Sequence, residues 1–458
     1  MGISSLGAGS SILTQDVIDQ LRAADNAKYV TPISSKLTVE NKKQDDLEVI
    51  DSYMTNLIDS INELNSSSLY DERGAEITGT SVAVTAAAGS DIQDFSLNVT
   101  TLATKQIEQS GSFASEDALV SGGAGQINLN IDGQDFAIDY TDTTTLKELK
   151  ALINDVAGDK VDATVVQIGA TDFRLFISSA DTGTTQNITI TDVTGTIDSK
   201  LSTDFDAAAI QSGVNAAFTF NGLPISRTSN TVDDLLSGVS ITLKEVGTSQ
   251  VNISQDRETI MAKFDSFVEK YNESVSGIKK MVLSSVDSET RGSFSSESTI
   301  KNMLSTIEDM VQSIGGGVGS LIDYGFDVDK EGVMTLDKDV LTTKMDENSA
   351  NVEAFFAGGT FDNGDGTTTE LDGAFNEYAT KIEEYTKYDA TLDQLKSSIT
   401  DSISSLEDKK TLANERLESK YEIMARRFAA YDLIISKLNS ASSMFAQIAN
   451  AQTAAQNS

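Results

Sequence analysis

Near the end of the 458-residue chain, apolar residues recur at alternating spacings of four and three: Leu417, Tyr421, Met424, Phe428, Tyr431, Ile435 and Leu438, then Ser442, Phe445 and Ala449. A helix that keeps such a repeat carries one unbroken apolar stripe. Sustained over this length, the stripe marks a coiled-coil seam; an amphipathic helix on a globular domain is the plainer alternative. Fewer than twenty residues follow Asn439, so nothing downstream can cover the stripe. Upstream, Leu392, Leu395, Ile399, Ile403 and Leu406 form an earlier seam that changes phase near Lys409-Lys410.

A partner is visible at the other end of the chain. Leu47, Ile50, Met54, Leu57, Ile61 and Leu64 fall on the same heptad spacing. Before them, residues 1–11 are rich in Gly and Ser and are expected to be disordered. A short amphipathic stretch then places Leu13, Val17 and Leu21 on one face, and Pro32 interrupts it. The natural expectation pairs the seam at 47–64 with the terminal stripe; the segment before Pro32 is the second candidate. Either pairing brings the chain ends together as helices and makes the middle an insertion.

From about residue 75 the period shifts to two. Phe95-Leu97-Val99, Ile127-Leu129-Ile131, Phe173-Leu175-Ile177, Val239-Ile241-Leu243 and Val251-Ile253 alternate with polar residues. Asp132-Gly133 joins 127–131 to Phe136-Ile138-Tyr140 as a hairpin. Residues 127–153 and 218–243 both read as strand, turn, strand and capped short helix, with Thr145…Glu148 and Thr231…Asp234 as capping boxes; two independent hairpin–helix units are the alternative to a repeat. After residue 255 helical spacing returns, with Ile260, Phe264, Phe267, Val268 and Tyr271, then Ile300, Leu304 and Ile307. Residues 313–320 (SIGGGVGS) read as a flexible connection. FDNGDGTTTELDG (361–373) is acidic, but a calcium loop needs Glu at its twelfth position. Counting from Asp362 or Asp365 reaches Gly373 or Asn376, so a solvated turn is expected.

Composition removes whole classes of function. The chain contains no Cys and no His, which excludes thiol and imidazole catalysis, disulfides and thiolate metal sites. Seventy acidic against 34 basic residues give a net charge of -36, which opposes binding to nucleic acid or anionic membrane. No apolar run is long enough to span a bilayer, so no membrane insertion is expected. The N-terminus has no basic residue before Arg22 and no apolar core of a signal peptide, and Leu6 stands where a myristoylation motif needs Ser or Thr. The expectation is therefore a cytoplasmic protein or one exported by a route that reads no such signal. Carboxylate pairs such as Asp233-Asp234 or Glu383-Glu384 would suit a glycosidase, but among seventy acids such pairs arise by chance, and solvated faces are the better reading. No enzyme activity, metal or cofactor is expected.

Four segments carry a family resemblance. LNVTTLATKQI (97–107) resembles a segment shared by flagellar axial proteins. AAFTFNGLPISRTSNTVDDLLSGVSITL (216–243), YGFDVDKEGVMTLDKDVLTTKMDENSANVEAFFAG (324–358) and KYEIMARRFAAYDLIISKLN (420–439) resemble the flagellar hook-associated protein 2 family, the filament cap proteins. Residues 127–190 resemble a small β module of flagellins and cap proteins.

The resemblance implies an α+β chain. Helical N- and C-terminal coiled-coil segments flank a mixed α/β leg domain that carries two inserted small β-rich head domains. The expected boundaries are 1–38 for the N-terminal region, 39–105 with 255–385 for the leg, 106–125 with 190–254 for one head domain, 126–189 for the other, and 386–458 for the C-terminal helix. It further implies a ring-like homo-oligomer of about four to six copies, at the distal tip of the flagellum, beneath which flagellin inserts and polymerises. Flagellin, the hook–filament junction protein and an export chaperone are the implied partners, and flagellar type III export the implied route. The two heptad seams, Leu47 to Leu64 and Leu417 to Phe445, are then the expected oligomer and filament contacts. A junction protein, a flagellin-like subunit and a surface adhesin are the rival readings.

Overall fold

A computed structural model describes residues 14–206, 209–287, 290–313 and 317–456. Residues 1–11, Leu13 and the centre of the 313–320 connection lie outside the described residues. The chain forms two compact units, a helical one (1–67 and 261–458) and a β-rich one (68–260).

The helical unit opens with α1 (Gln15–Tyr29) and α2 (Thr31–Leu64). Pro32 sits in the first turn of α2, where a missing amide proton costs no intrahelical bond. The break expected at Pro32 is thus real, and the proline begins a helix there. Leu47, Ile50, Met54, Leu57, Ile61 and Leu64 are all 4% exposed or less. On α1 the face differs from expectation by one residue. Ile18 is buried, while Leu21 is exposed, because the side of α1 that meets another helix is centred on Ile18.

After the one-turn α3 (Ser67–Tyr70) the β-rich unit runs through β1 (Arg73–Thr78), β2 (Val82–Ala86), β3 (Gln93–Thr101), β4 (Lys105–Gln109), β5 (Gly125–Ile131) and β6 (Gln134–Tyr140). It continues with α4 (Leu146–Ala157), β7 (Val161–Gly169), β8 (Asp172–Thr182), β9 (Ile188–Thr194) and the one-turn α5 (Thr203–Asp206). It closes with β10 (Ala216–Phe220), β11 (Leu223–Arg227), β12 (Thr231–Leu236), β13 (Val239–Leu243) and β14 (Gly247–Gln255). A sheet of order β1-β14-β3-β10-β11 and a sheet of order β12-β13-β2 share one core, which includes Phe95, Leu97, Phe218, Ile241 and Ile253. A second core joins the sheets β6-β5-β9 and β4-β8-β7 to α4 through Ile127, Leu149, Ile153, Leu175 and Ile177.

This partition differs from the expected one. Strands β1–β3, assigned to the leg span 39–105, pair with distant strands of the β-rich unit, β1 with β14, β2 with β13 and β3 with β14 and β10; Phe95 lies opposite Val251. Phe113, Val120, Leu201 and Phe205, assigned to the head domain of 106–125 with 190–254, pack with the 126–189 module instead. Local alternation identifies a strand but says nothing of which distant strand will satisfy its backbone, and that choice decides the core.

The two hairpins share one turn. Asp132-Gly133 and Asn221-Gly222 both take positive φ at both central positions (51° and 71°; 49° and 83°), the primed geometry that matches strand twist. The similarity ends there. Thr145 caps α4 with a full capping box, accepting from the Glu148 amide while the Glu148 carboxylate accepts from the Thr145 amide at 2.9 Å. Thr231–Asp234, expected to start a second helix, is strand β12. Val232 buries opposite Ile241, and Asp234 takes the Arg227 guanidinium at 3.0 Å rather than capping anything.

The helical unit resumes with α6 (Arg257–Val282), which starts at the edge of the β-rich unit, then α7 (Ser298–Ser313), β15 (Phe326–Val328), β16 (Met334–Leu336) and α8 (Lys338–Ala357). It ends with β17 (Gly359–Asp362), β18 (Thr368–Leu371), α9 (Ala374–Thr386) and α10 (Thr391–Gln456). Aromatics are only 6% of the chain, yet they concentrate here. Phe264 and Phe267 of α6 meet Phe356 of α8 (4.8 Å between centroids) and Phe375 of α9 (4.9 Å), and Phe326 of β15 closes the cluster. The acidic segment 361–373 is mostly a β17–β18 hairpin. Its tip is self-satisfied: the Asp362 and Asp365 carboxylates accept from the amides of Gly364 and Thr367.

Four asparagines brace these elements in the same way. Asn154 donates to and accepts from the backbone of Ala163, Asn230 does so at Ala103, Asn272 at Met334, and Asn351 at Asp362, all at 2.7–2.9 Å as primary amides allow. Asn230 belongs to the Ser-Asn-Thr of the 216–243 segment, so that part of the motif has a structural role.

Candidate functional site

Helix α10 is 66 residues long, which at 1.5 Å per residue is about 100 Å. Its apolar stripe falls into three parts with different cover. In the first, Leu392 and Ile399 are buried and Leu395, Ile403 and Leu406 half-buried, where α10 runs beside α2. In the second, Leu417, Tyr421 and Ala425 bury with Ile18 of α1, and Val30, Met424 and Phe428 pack at the edge. In the third, Tyr431, Leu438 and Phe445 are 57%, 63% and 72% exposed, with Ile435 half-buried between them. Ile434, Met444 and Ile448 add to the exposed apolar surface.

The two predicted seams therefore do not meet. The 47–64 residues of α2 are buried in the body of the helical unit, where Ser274 of α6 donates to the Tyr53 carbonyl and Glu63 pairs with Lys263 at 2.9 Å. The first part of the terminal stripe, Leu417 to Phe428, is covered instead by α1, the segment before Pro32. Residues 47–64 face α6 and α9, α2 meets only the first part of α10, and α1 covers the part that follows.

A polar clasp, invisible to a search for apolar periodicity, fastens α1 to α10. The Asp25 carboxylate accepts from the Tyr421 hydroxyl at 2.7 Å and from the Lys420 ammonium. Those donors, Lys420 first and then Tyr421, hold the Asp25 carboxyl below its ordinary value of 3.8. Desolvation and then the Asp25 carboxylate push the Tyr421 phenol up. A carboxyl whose folded pKa is depressed stabilises the folded form above its unfolded pKa and loses that contribution as pH falls through the folded value. Acidification below about pH 4 is therefore expected to loosen α1 from α10. Amide exchange in residues 15–29, corrected for intrinsic rates, should accelerate between pH 6 and pH 3 in the wild type but not in Asp25→Asn. Equal pH dependence in both would show the clasp to be idle.

Asp234 is committed to Arg227, Glu383 and Glu384 both face solvent on α9, and no group of three or more potential metal ligands occurs among the described residues. No helix among the described residues is long and apolar enough to cross a membrane. What α10 offers is a long helix, secured over two-thirds of its length and apolar on an open face over the last third.

Comparison with known proteins gives this arrangement a family. The model of the flagellar hook-associated protein 2 C-terminus matches residues 213–440, and that of its N-terminus matches residues 10–106. The chain belongs to the flagellar hook-associated protein 2 family. The hook-associated protein 2 of Campylobacter jejuni is 25% identical over 411 residues, covering 78% of this chain and 64% of the relative. That of Helicobacter pylori strain 26695 is 31% identical over 243 residues, covering 51% of this chain and 36% of the relative. The chain thus spans less than two-thirds of the length of these relatives, whereas it covers 96% of the A-type hook-associated protein 2 of Pseudomonas aeruginosa, at 24% identity. The crystal structure of the D1-D2-D3 domains of the Escherichia coli flagellar cap protein shares the fold, with a TM-score of 0.59 at 19% identity over 78% of this chain and 99% of that one. The hook-associated protein 2 family models cover the Asn-Gly hairpin, the β15–β16 segment and most of α10, but stop short of Phe445.

Proposed function

We propose that this chain caps the growing flagellar filament. Copies assemble as a closed ring at the distal tip, and flagellin subunits insert and polymerise beneath it. The observation that carries the reading is the open apolar stretch of α10, Tyr431 to Phe445, at the end of a helix otherwise clasped by the chain's own N-terminal helix, in a member of the hook-associated protein 2 family. A surface of this kind needs a partner, and a cap has two in succession: an export chaperone before secretion through the flagellar type III route, and the filament end, next to the hook–filament junction protein or flagellin, afterwards. The helical unit serves as the leg that meets the filament, and the β-rich unit as the head displayed outward.

The role is structural rather than catalytic. Capping needs contacts that form and release as each subunit adds, and a stripe broken by Ser442 and flanked by polar residues suits exchange better than a dry obligate interface. Expression of the full chain in a flagellated strain lacking its own cap protein is the direct test. Restored filaments, with rings at their tips by electron microscopy, are the expected result; flagellin shed into the medium without filaments would sink the reading.

A further inference from the structure

Strand β7 forms one edge of the sheet β4-β8-β7, and its far side is open. On β8, Phe173 exchanges backbone bonds with Phe113, and the Leu175 carbonyl accepts from the Ser110 amide, so both residues turn away from β7. Arg174 and Phe176 turn the other way and face Val166 and Thr164. Backbone groups alternate along a strand, which directs those of Ala163, Val165 and Gln167 outward. Both ends of this row are closed. The Asn154 side chain takes the Ala163 amide at 2.7 Å and its carbonyl at 2.9 Å, and the Gln167 side chain donates to the Gly169 carbonyl at 3.2 Å. Between them, the outward N–H and C=O of Val165 and Gln167 meet no partner among the described residues.

An open row of this kind is a template for another strand, and proteins blunt such edges with charge, proline or cover. The other edges of the β-rich unit are blunted. Glu76 stands on β1, Lys105 on β4, Asp135 on β6, Asp192 on β9, Pro224 on β11 and Asp233 on β12, while β2 lies against β1. From Ala163 to Gly169, β7 carries neither charge nor proline, and Val166 and Ile168 are 39% and 56% exposed.

We propose that this edge pairs with the same edge of a second copy of the chain, antiparallel about a two-fold axis at Val166. The closed ends limit any partner strand to a short window, and they fix the register. An axis at Val165 would set Gln167 against Ala163, already held by Asn154; one at Gln167 would set Val165 against Gly169, whose carbonyl is taken. An axis at Val166 sets Val165 opposite Gln167 twice and satisfies every open group. Val166 then meets its own copy, Thr164 meets Ile168, and no charge is buried. Two three-stranded sheets become one of six. The pairing is isologous and small, as transient contacts are. It goes beyond the cap reading and does not rest on it, since it uses neither α10 nor the open stretch at its end.

The chain has no cysteine, so engineered thiols report cleanly. Across the axis, facing Cα atoms of a non-hydrogen-bonded pair lie about 4.5 Å apart, within disulfide reach. Thr164, exposed on the same face, lies four residues along from its own copy, about 13 Å away. Under mild oxidation of the full chain, Val166→Cys should therefore cross-link into a dimer at least about tenfold faster than Thr164→Cys. Chains carrying Thr164→Cys and Ile168→Cys should cross-link when mixed, and far more slowly apart. Adding Val166→Lys to both should slow the mixed reaction about tenfold or more, by setting two ammonium groups together at the axis. Val166 lies at the surface, so that change spares the fold. Equal rates at positions 166 and 164, no reaction in the mixture, or a mixture indifferent to Val166→Lys would each overturn the proposal. None of these results touches the cap reading.

Discussion

A chain carrying Leu438→Asp and Phe445→Asp should leave filaments stunted or absent while both compact units unfold as in the wild type. Both side chains are mostly exposed, so neither change opens a cavity, and surface substitutions of this kind alter stability by about 0.5 kcal/mol or less. At the filament end the same positions are to be buried. An unpaired carboxylate forced into an apolar contact costs at least about 2 kcal/mol. Two of them, at about 4 kcal/mol, lower occupancy of the tip roughly a thousandfold. Filament length by electron microscopy, with circular dichroism as the control for folding, reads both halves of the result. Filaments of ordinary length would show that the open stretch of α10 is not the assembly contact.

The second large effect lies in the core. Phe267→Ala should destabilise the helical unit by about 3–5 kcal/mol, the range for deleting a buried phenylalanine. Phe267 is fully buried and packs edge-on to Phe375, Phe326 and Tyr378, which ties α6 to α9 and β15. For a unit of this size the loss lowers the melting temperature by roughly 10 °C. Calorimetry should show the β-rich unit's transition unmoved. A loss below about 1 kcal/mol would mean that the ring cluster can collapse around the gap, against what close packing predicts.

Both predictions concern features that were legible to different degrees in the chain itself. The heptad count found the stripe on α10 and the buried face of α2, because a period of three and four survives whatever the helix packs against. It misjudged the pairing, since apolar spacing shows that a face needs cover and not which surface provides it. The deciding contact, Asp25 with Lys420 and Tyr421, is polar and spans nearly the whole chain. The same holds for the β-rich unit. Phe95-Leu97-Val99 reads as a strand at sight, yet its neighbours are β14 and β10, more than a hundred residues away. Thr231-Val232-Asp233-Asp234 has the letters of a helix cap, but Val232 is buried opposite Ile241 in a strand pairing that no local signal announces.

The four asparagine braces leave the fold open to a change as small as one atom group. Each brace presents an amide nitrogen to one backbone carbonyl and an amide oxygen to one backbone N–H. Hydrolysis of the side-chain amide keeps the shape and the second bond but turns the first into two oxygens facing each other. Age, rather than mutation, could thus unfasten β12 from Ala103 or α6 from β16. A cap standing at the filament tip, as proposed here, would carry the record of its time outside the cell in these four side chains.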